Sequence, residues 1–196
     1  MRPQFKFFAM LLTVAATLLL QGCFPLAATG IGAAALMVDD RRSTGVYVED
    51  ENIEWKARAR LNERFKDIHV NVTSFNLTAL VTGEVSNEQT RQEVTEVIRS
   101  IPSVKNVVNE LVIGGPAVYT SRANDSLVTT NVKTRFINNG KFSINHVKVV
   151  TEAGTTFLMG IVTREEADAA TELARTTGGV ARVVKVFEYI EAVSKR

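Results

Sequence analysis

The chain has 196 residues, a formal net charge of +2 from 23 Lys/Arg and 21 Asp/Glu, and one cysteine. This length allows one or two domains, and a single cysteine excludes a disulfide within the chain. The nearly balanced charge excludes the strongly basic composition that is typical of nucleic-acid-binding proteins.

The N-terminus has the pattern of a secretory signal. Two basic residues, Arg2 and Lys6, precede an apolar run that extends from Phe7 to Leu20. The run is shorter than the about 20 residues that cross a bilayer, and it suits the apolar region of a signal peptide. We therefore predict a signal peptide over residues 1–22. Its removal would lower the formal charge from +2 to 0, because it carries two bases and no acid.

The cysteine, Cys23, closes the sequence LQGC, which resembles the bacterial lipobox. In lipoproteins of that kind the thiol is lipid-modified and becomes the first residue after cleavage. The alternatives are a buried cysteine, a metal ligand, which would need several partners, and a nucleophile, which would need a nearby histidine. Both histidines, His69 and His146, lie beside valine-rich stretches. We predict lipid attachment at Cys23, an acylated anchor with a polar linker over residues 23–46, and no catalytic residue, metal or cofactor.

The rest of the chain contains an internal repeat. LVTGEVSNEQ at residues 80–89 matches FLMGIVTREE at residues 157–166, since each has an apolar strand, a glycine, a valine two residues later and a helix start. Residues 99–109 and 175–185 match further on. A repeat in the same order predicts two copies of one structural unit.

Each copy is predicted to begin with an amphipathic helix. Two sets of four residues share one spacing, an aspartate followed by three apolar residues on one helical face: Asp50, Ile53, Ala57 and Leu61, and Asp125, Val128, Val132 and Phe136. Trp55, on the first of these helices, is expected at the edge of the core. The second helix of each copy has capping-box spacing at its start: Ser86 with Gln89, and Thr163 with Glu166.

The predicted order in each copy is helix, strand, strand, helix, strand. The predicted elements cover residues 52–66, 69–75, 78–85, 87–100 and 104–113 in the first copy, and 126–138, 146–151, 155–162, 164–176 and 180–189 in the second. We therefore predict an α+β fold with two tandem αββαβ domains, residues 47–113 and 123–191, joined by a linker over residues 114–122. In each domain two helices pack on one face of a three-stranded mixed sheet. The other sheet face is left less covered, and it could pair with the other copy or with a partner.

Two such units resemble the BON domain. The lipobox followed by both units resembles the dual-BON outer-membrane lipoproteins, the division- and outer-membrane-stress-associated lipid-binding group. NDSLVTTNVKTRF (124–136) and TTFLMGIVTREEADAA (155–170) are especially similar to the second domain of that group. The resemblance implies a lipoprotein of the outer membrane that faces the periplasm. Phe24 favours the outer membrane, because lipoproteins retained in the inner membrane typically have Asp directly after the cysteine. The resemblance also implies binding of anionic phospholipid, such as phosphatidylglycerol, and a role in envelope integrity rather than catalysis.

In that group the first helix of the second domain contacts the phospholipid, and we expect this helix to begin at Asn124-Asp125. If its apolar residues face the core, then Leu127, Thr130, Asn131 and Thr134 share the opposite side. The predicted contact residues are these four together with the basic residues of the same helix, Lys133 and Arg135. The chain departs from the family at Leu127, where an aromatic residue is familiar, and at Asn131, where a basic one is.

The charge distribution agrees modestly with this site. Residues 117–196 carry 11 Lys/Arg and 8 Asp/Glu, net +3, whereas residues 38–116 carry 10 and 13, net −3. A positive domain is attracted to an anionic lipid surface. The alternative is a periplasmic protein-interaction adaptor for envelope assembly or cell-division machinery, with no nucleic acid as a partner in either case.

Overall fold

The sequence repeat corresponds to two similar domains in the computed structural model, which describes residues 39–66, 68–114 and 119–191. The first domain contains α1 (Thr44–Arg64), β1 (His69–Phe75), β2 (Thr78–Val85), α2 (Glu88–Arg99), β3 (Asn106–Asn109) and β4 (Val112–Ile113). The second contains α3 (Tyr119–Ile137), a 3₁₀ turn (Ile144–His146), β5 (Val147–Glu152), β6 (Thr155–Val162), α4 (Arg164–Arg175) and β7 (Arg182–Tyr189). The predicted α+β class is confirmed. None of the helices in these ranges combines the length and the apolar character that a bilayer crossing requires.

Each domain has a mixed sheet whose central strand pairs with one antiparallel and one parallel neighbour. β2 lies between β1, which is antiparallel, and β3 with β4, which are parallel. β6 lies in the same way between β5 and β7. The strand predicted over residues 104–113 is split into β3 and β4. It is interrupted where the Leu111 amide donates to the Asn109 side chain at 2.9 Å and the Leu111 side chain enters the core.

Both first helices begin seven or eight residues earlier than predicted, at Thr44 and Tyr119. Ser43, in the predicted linker, caps α1 with its hydroxyl. Asp50, which precedes the predicted start of the first helix, and Asp125, at the predicted start of the other, therefore lie inside the helices. Their carboxylates bind a hairpin turn of the same domain.

The second helices follow their predicted bounds closely, but only one of the two predicted capping boxes is correct. Thr163 and Glu166 form the reciprocal pair of bonds at the start of α4. In the first domain the helix begins one residue later than expected, so Asn87 takes the cap position and accepts from a first-turn amide at 2.8 Å. The box predicted at Ser86 and Gln89 is therefore wrong.

The sheet faces that carry no helix pack against each other. Each domain has its own core between helices and sheet, and a third cluster of Phe75, Leu80, Phe157 and Met159 joins the two sheets. These four side chains are at most 4% exposed. The structure thus answers the question that the sequence left open, because each copy covers the free sheet face of the other.

Polar contacts surround this apolar cluster. Side-chain pairs between the two domains include Lys148 with Glu54 at 2.7 Å, Asn76 with Glu188 at 2.8 Å, and Glu152 with both Asn71 at 2.8 Å and His69 at 3.2 Å. These pairs satisfy polar groups at the rim, where burying them without partners would cost free energy.

The glycine in each repeat permits a close approach of a second backbone segment to the central strand. A Cβ atom on Gly83 would lie 2.0 Å from the carbonyl oxygen of His69, and one on Gly160 would lie 2.4 Å from that of His146. Gly83 also has a φ of 119°, which other residues rarely adopt. The repeated G-x-V pattern therefore indicates a close backbone contact in each domain that only glycine allows.

Candidate functional site

The inner side of α3 fixes the orientation of the predicted site helix. Val128, Val132 and Phe136 are at most 2% exposed, as their spacing predicts. The Phe136 ring also meets the Phe142 ring edge to face, with centroids 5.0 Å apart. This packing determines which side of α3 faces solvent.

The exposed side of α3 carries five of the six predicted site residues. Leu127 is 64% exposed, and Thr130, Asn131, Lys133 and Thr134 are also exposed. Ile137, which was not predicted, is 66% exposed and extends the same side. Its place seven residues, or about two turns, after Thr130 is the sequence signal that could have found it. We call these six residues the α3 outer face.

The threonines of the α3 outer face have satisfied hydroxyl groups. Thr130 Oγ1 donates to the Ser126 carbonyl, and Thr134 Oγ1 donates to the Thr130 carbonyl, each at 2.9 Å. A hydroxyl donor that is already bonded within the helix loses less when water is removed from this face.

Arg135 differs from the other predicted site residues. Its Nη1 donates to the Leu173 carbonyl at 2.7 Å and to the hydroxyls of Thr176 and Thr177 at 2.9 and 3.0 Å. These groups lie at the C-terminal end of α4, where a cation is favoured by unpaired carbonyls and the helix dipole. Arg135 therefore ties α3 to α4, and we place it outside the α3 outer face.

A buried aspartate connects the first helix of each domain to its hairpin, a role that the sequence reasoning missed. The Asp50 carboxylate accepts from the Ser74 hydroxyl at 2.7 Å and from the Asn76 and Leu77 amides at 2.8 Å. Asp125 accepts from both turn amides of its own hairpin at 2.9 Å. Both turn residues have positive φ in each hairpin, as a type I′ turn requires. The recurrence of an aspartate at the same place in both repeats was the available signal.

Arg42, in the predicted linker, binds the first domain. Its guanidinium contacts Asp40 at 2.6 Å and the buried Asp50 at 2.9 Å. It also lies over the Phe75 ring, 4.1 Å from the centroid, where the cation is attracted to the aromatic face. The chain is therefore fixed to the first domain immediately before α1.

Arg41, the preceding residue, binds the second domain. It donates to both carboxylate oxygens of Glu166 at 2.6 and 2.9 Å and to the Ile161 carbonyl at 2.8 Å. Burial alone would raise the pKa of Glu166, but hydrogen bonds from Arg41 and the Thr163 amide, with the charges of Arg41 and His146, lower this pKa to about 2. We call Arg41 and Arg42 the arginine clasp, because together they hold the start of α1 to both domains.

Trp55 lies on the outer side of α1 and is 71% exposed, so its expected place at the edge of the core is wrong. It follows the buried Ile53 by two residues, which is about 200° around a helix. Val48, two turns before Trp55, is 51% exposed. α1 therefore presents two large apolar side chains to solvent.

A cavity of about 350 Å³ lies between the domains. Its wall includes Glu152, whose carboxylate is held by His69 at 3.2 Å and by Asn71 at 2.8 Å, and Ser126 and Thr129 of α3. Within the described ranges, no three His, Cys, Asp or Glu side chains are grouped to hold a metal ion. We interpret the cavity as part of the polar rim between the domains.

The BON domain pattern matches this chain twice, over residues 49–115 and residues 124–191. The chain belongs to the BON-domain family. The family predicted from the two repeats is thus confirmed, and BON-domain lipoproteins are not known as enzymes.

Three curated relatives are similar over most of the chain. The outer membrane lipoprotein DolP of Haemophilus influenzae is 33% identical over 179 residues, which cover 90% of this chain and 93% of that protein. The 21 kDa hemolysin of Actinobacillus pleuropneumoniae is 30% identical and covers 78% of this chain and 80% of its own length. Osmotically-inducible protein Y of Escherichia coli is 24% identical, with 71% and 72% covered. By its similarity to the Haemophilus lipoprotein, this BON-domain chain is an outer-membrane lipoprotein, as predicted.

Three parts of the N-terminal prediction lie outside the residues that the structure describes. They are the signal peptide over residues 1–22 and the lipid attachment at Cys23, together with the linker as far as residue 38.

Proposed function

We propose that the chain is anchored in the outer membrane by acylated Cys23, faces the periplasm, and binds anionic phospholipid through the α3 outer face in support of envelope integrity. The observation that carries this proposal is the pair of exposed aliphatic side chains, Leu127 and Ile137, 64% and 66% exposed, on one helix. Between them lie polar but uncharged residues and one basic residue, Lys133. This composition suits shallow insertion at a lipid–water interface.

The electrostatics of α3 favour an anionic surface. α3 contains three basic residues, Arg122, Lys133 and Arg135, and one acid, Asp125, which is buried. Each basic residue near an anionic membrane contributes about 1 kcal/mol. Because Arg135 is held by α4, Lys133 is the basic residue of the α3 outer face on which the proposed contact depends most directly.

The lipid anchor dominates membrane attachment. Acyl chains contribute about 0.8 kcal/mol for each buried CH₂ group, which exceeds the contribution of a few exposed side chains. The α3 outer face therefore need bind only weakly, because the anchor raises its effective concentration at the membrane. Its role is to orient the domains and to select anionic lipid.

Vesicle flotation of the soluble fragment 39–196 tests the proposal. The fragment contains both complete cores, and we expect it to float with phosphatidylglycerol vesicles at low salt and not with phosphatidylcholine vesicles. Leu127→Glu should abolish flotation, because it places a charge at the inserted position. Val112→Glu is the matched control, since Val112 is an aliphatic residue with 57% exposure in the first domain.

Equal flotation with both lipids, or equal loss in both variants, would contradict lipid binding by α3. The protein-adaptor hypothesis would then be favoured, and the exposed residues of α3 would be interpreted as a protein contact.

A further inference from the structure

The outer side of α1 carries an uncharged line of residues on an otherwise charged helix. Val48 and Trp55 are 51% and 71% exposed and lie seven residues apart, so they share one side of the helix. The same line continues through exposed, uncharged residues: Thr44, Asn52, Ala59 and Asn62. It extends about 27 Å along the axis. We call these six residues the α1 stripe.

The α1 stripe lies on the same side of its helix as the α3 outer face. When Asp50 is aligned with Asp125, Trp55 corresponds to Thr130, and Leu127 corresponds to Asn52. Both domains therefore present apolar side chains from equivalent surfaces, and neither surface takes part in the core or in the packing of the two sheets.

The short connection to the anchor keeps the α1 stripe near the bilayer surface. From Cys23 to Val38 the chain contains no charged residue, and a segment of this length reaches at most about 55 Å. The arginine clasp then fixes the chain to both domains directly before α1. The helix that follows the anchor is thus kept within reach of the bilayer, and its effective concentration there is high.

We infer that the α1 stripe is a second membrane contact, with Trp55 as its interfacial residue. This inference rests on the proposed acylation of Cys23. Tryptophan prefers the membrane interface because its ring is apolar and its N–H needs a polar partner.

The two contacts differ in the lipid that they require. α1 contains five acidic and four basic residues, net −1, whereas α3 has a net charge of +2. An anionic surface does not attract α1, so Trp55 enters the interface of a neutral bilayer as readily as that of an anionic one. Once the anchor holds the protein at a membrane, the first domain therefore contacts any bilayer, whereas the second contributes lipid selectivity.

The chain contains one tryptophan, so its intrinsic fluorescence tests the inference on the unaltered protein. The acylated full-length mature lipoprotein is reconstituted into phosphatidylcholine vesicles with and without brominated lipid. We expect blue-shifted emission and quenching by bromine, and both should persist when phosphatidylglycerol is added. Water-like emission without quenching would overturn the inference.

A matched control moves the single tryptophan to another exposed helix position. Trp55→Phe combined with Glu172→Trp places it on α4, where the replaced side chain is 56% exposed, and we expect little quenching. Equal quenching at both positions would overturn the inference, because it would show that tethering alone brings any surface to the lipid.

A Leu127→Glu variant separates this inference from the proposed function. We expect it to lose phosphatidylglycerol-dependent flotation as fragment 39–196, while Trp55 in the acylated protein remains quenched. Loss of quenching in this variant would show that Trp55 has no contact independent of α3 and would overturn the inference without affecting the proposal for α3.

Discussion

Asp50→Ala is expected to destabilise the first domain strongly, because the Asp50 carboxylate joins three parts of it. The carboxylate accepts from the Ser74 hydroxyl, the Asn76 and Leu77 amides and the Arg42 guanidinium at 2.7 to 2.9 Å. A buried donor left unpaired costs about 1–3 kcal/mol, and removal of one partner from a buried ion pair costs about 3–5 kcal/mol. These costs overlap, and Arg42 keeps Asp40 as a partner. We therefore expect a loss of about 4 kcal/mol in the free energy of unfolding.

Two matched variants test whether the expected loss of stability is specific to Asp50. Asp125→Ala removes the acceptor of two turn amides, and we expect it to cost about 2–3 kcal/mol in the second domain. Glu51→Ala changes an exposed acid beside Asp50, and we expect an effect within about 0.5 kcal/mol.

Urea unfolding of fragment 39–196 measures these differences. The sole tryptophan lies on α1 and reports on the first domain, while far-ultraviolet circular dichroism reports on both domains. Free energies follow from the midpoint and the slope of each transition. An Asp50→Ala variant as stable as Glu51→Ala would refute the reasoning that this carboxylate organises the domain.

Three further predictions concern the second domain and its packing. Gly160→Ala should lower the melting temperature of the fragment sharply, because the new Cβ would lie 2.4 Å from a backbone oxygen, whereas Gly178→Ala, with open space around it, should have little effect. Glu166 has a folded pKa near 2 and should titrate near its ordinary value of about 4.3 when unfolded. The stability that Glu166 contributes is therefore complete above its unfolded pKa and is lost as the pH falls toward 2. Glu166→Gln should reduce the acid-induced loss of unfolding free energy by about 2 kcal/mol. Phe157→Ala should cost about 3–5 kcal/mol and should separate the tryptophan and circular-dichroism transitions, because Phe157 joins the two sheets; coincident transitions at wild-type stability would contradict this.

The local structure was largely predictable because the spacing of apolar residues along the chain indicates helices and strands. The strands over residues 69–75, 78–85 and 155–162 have the predicted bounds, since their residues alternate or form apolar runs between turn signals. The inner side of α3 was also predictable, because a helix that packs on one side must repeat its apolar residues every three or four positions. The exposure of Leu127 followed directly from that periodicity.

Most of the errors concern side chains that bind residues distant along the chain. The first helices were expected to begin at residue 52 and at Asn124-Asp125, but Asp50 and Asp125 both lie inside helices and bind hairpin-turn amides at least 26 residues away. Arg135 was predicted to face lipid because it is basic, yet it binds the end of α4. Trp55 was expected at the edge of the core, yet its side chain is 71% exposed.

The sequence by itself determined the two αββαβ units, their family and the helical side that carries Leu127, because each depends on residues that are close along the chain. Only the tertiary structure decided that the free sheet faces pack together, that the linker arginines hold both domains, and that Trp55 faces solvent. Arg41 and Glu166 are 125 positions apart, and Asn76 and Glu188 are 112 apart. Pairs at such separations leave no periodic pattern in a single sequence, so folding of the whole chain is needed to bring them together.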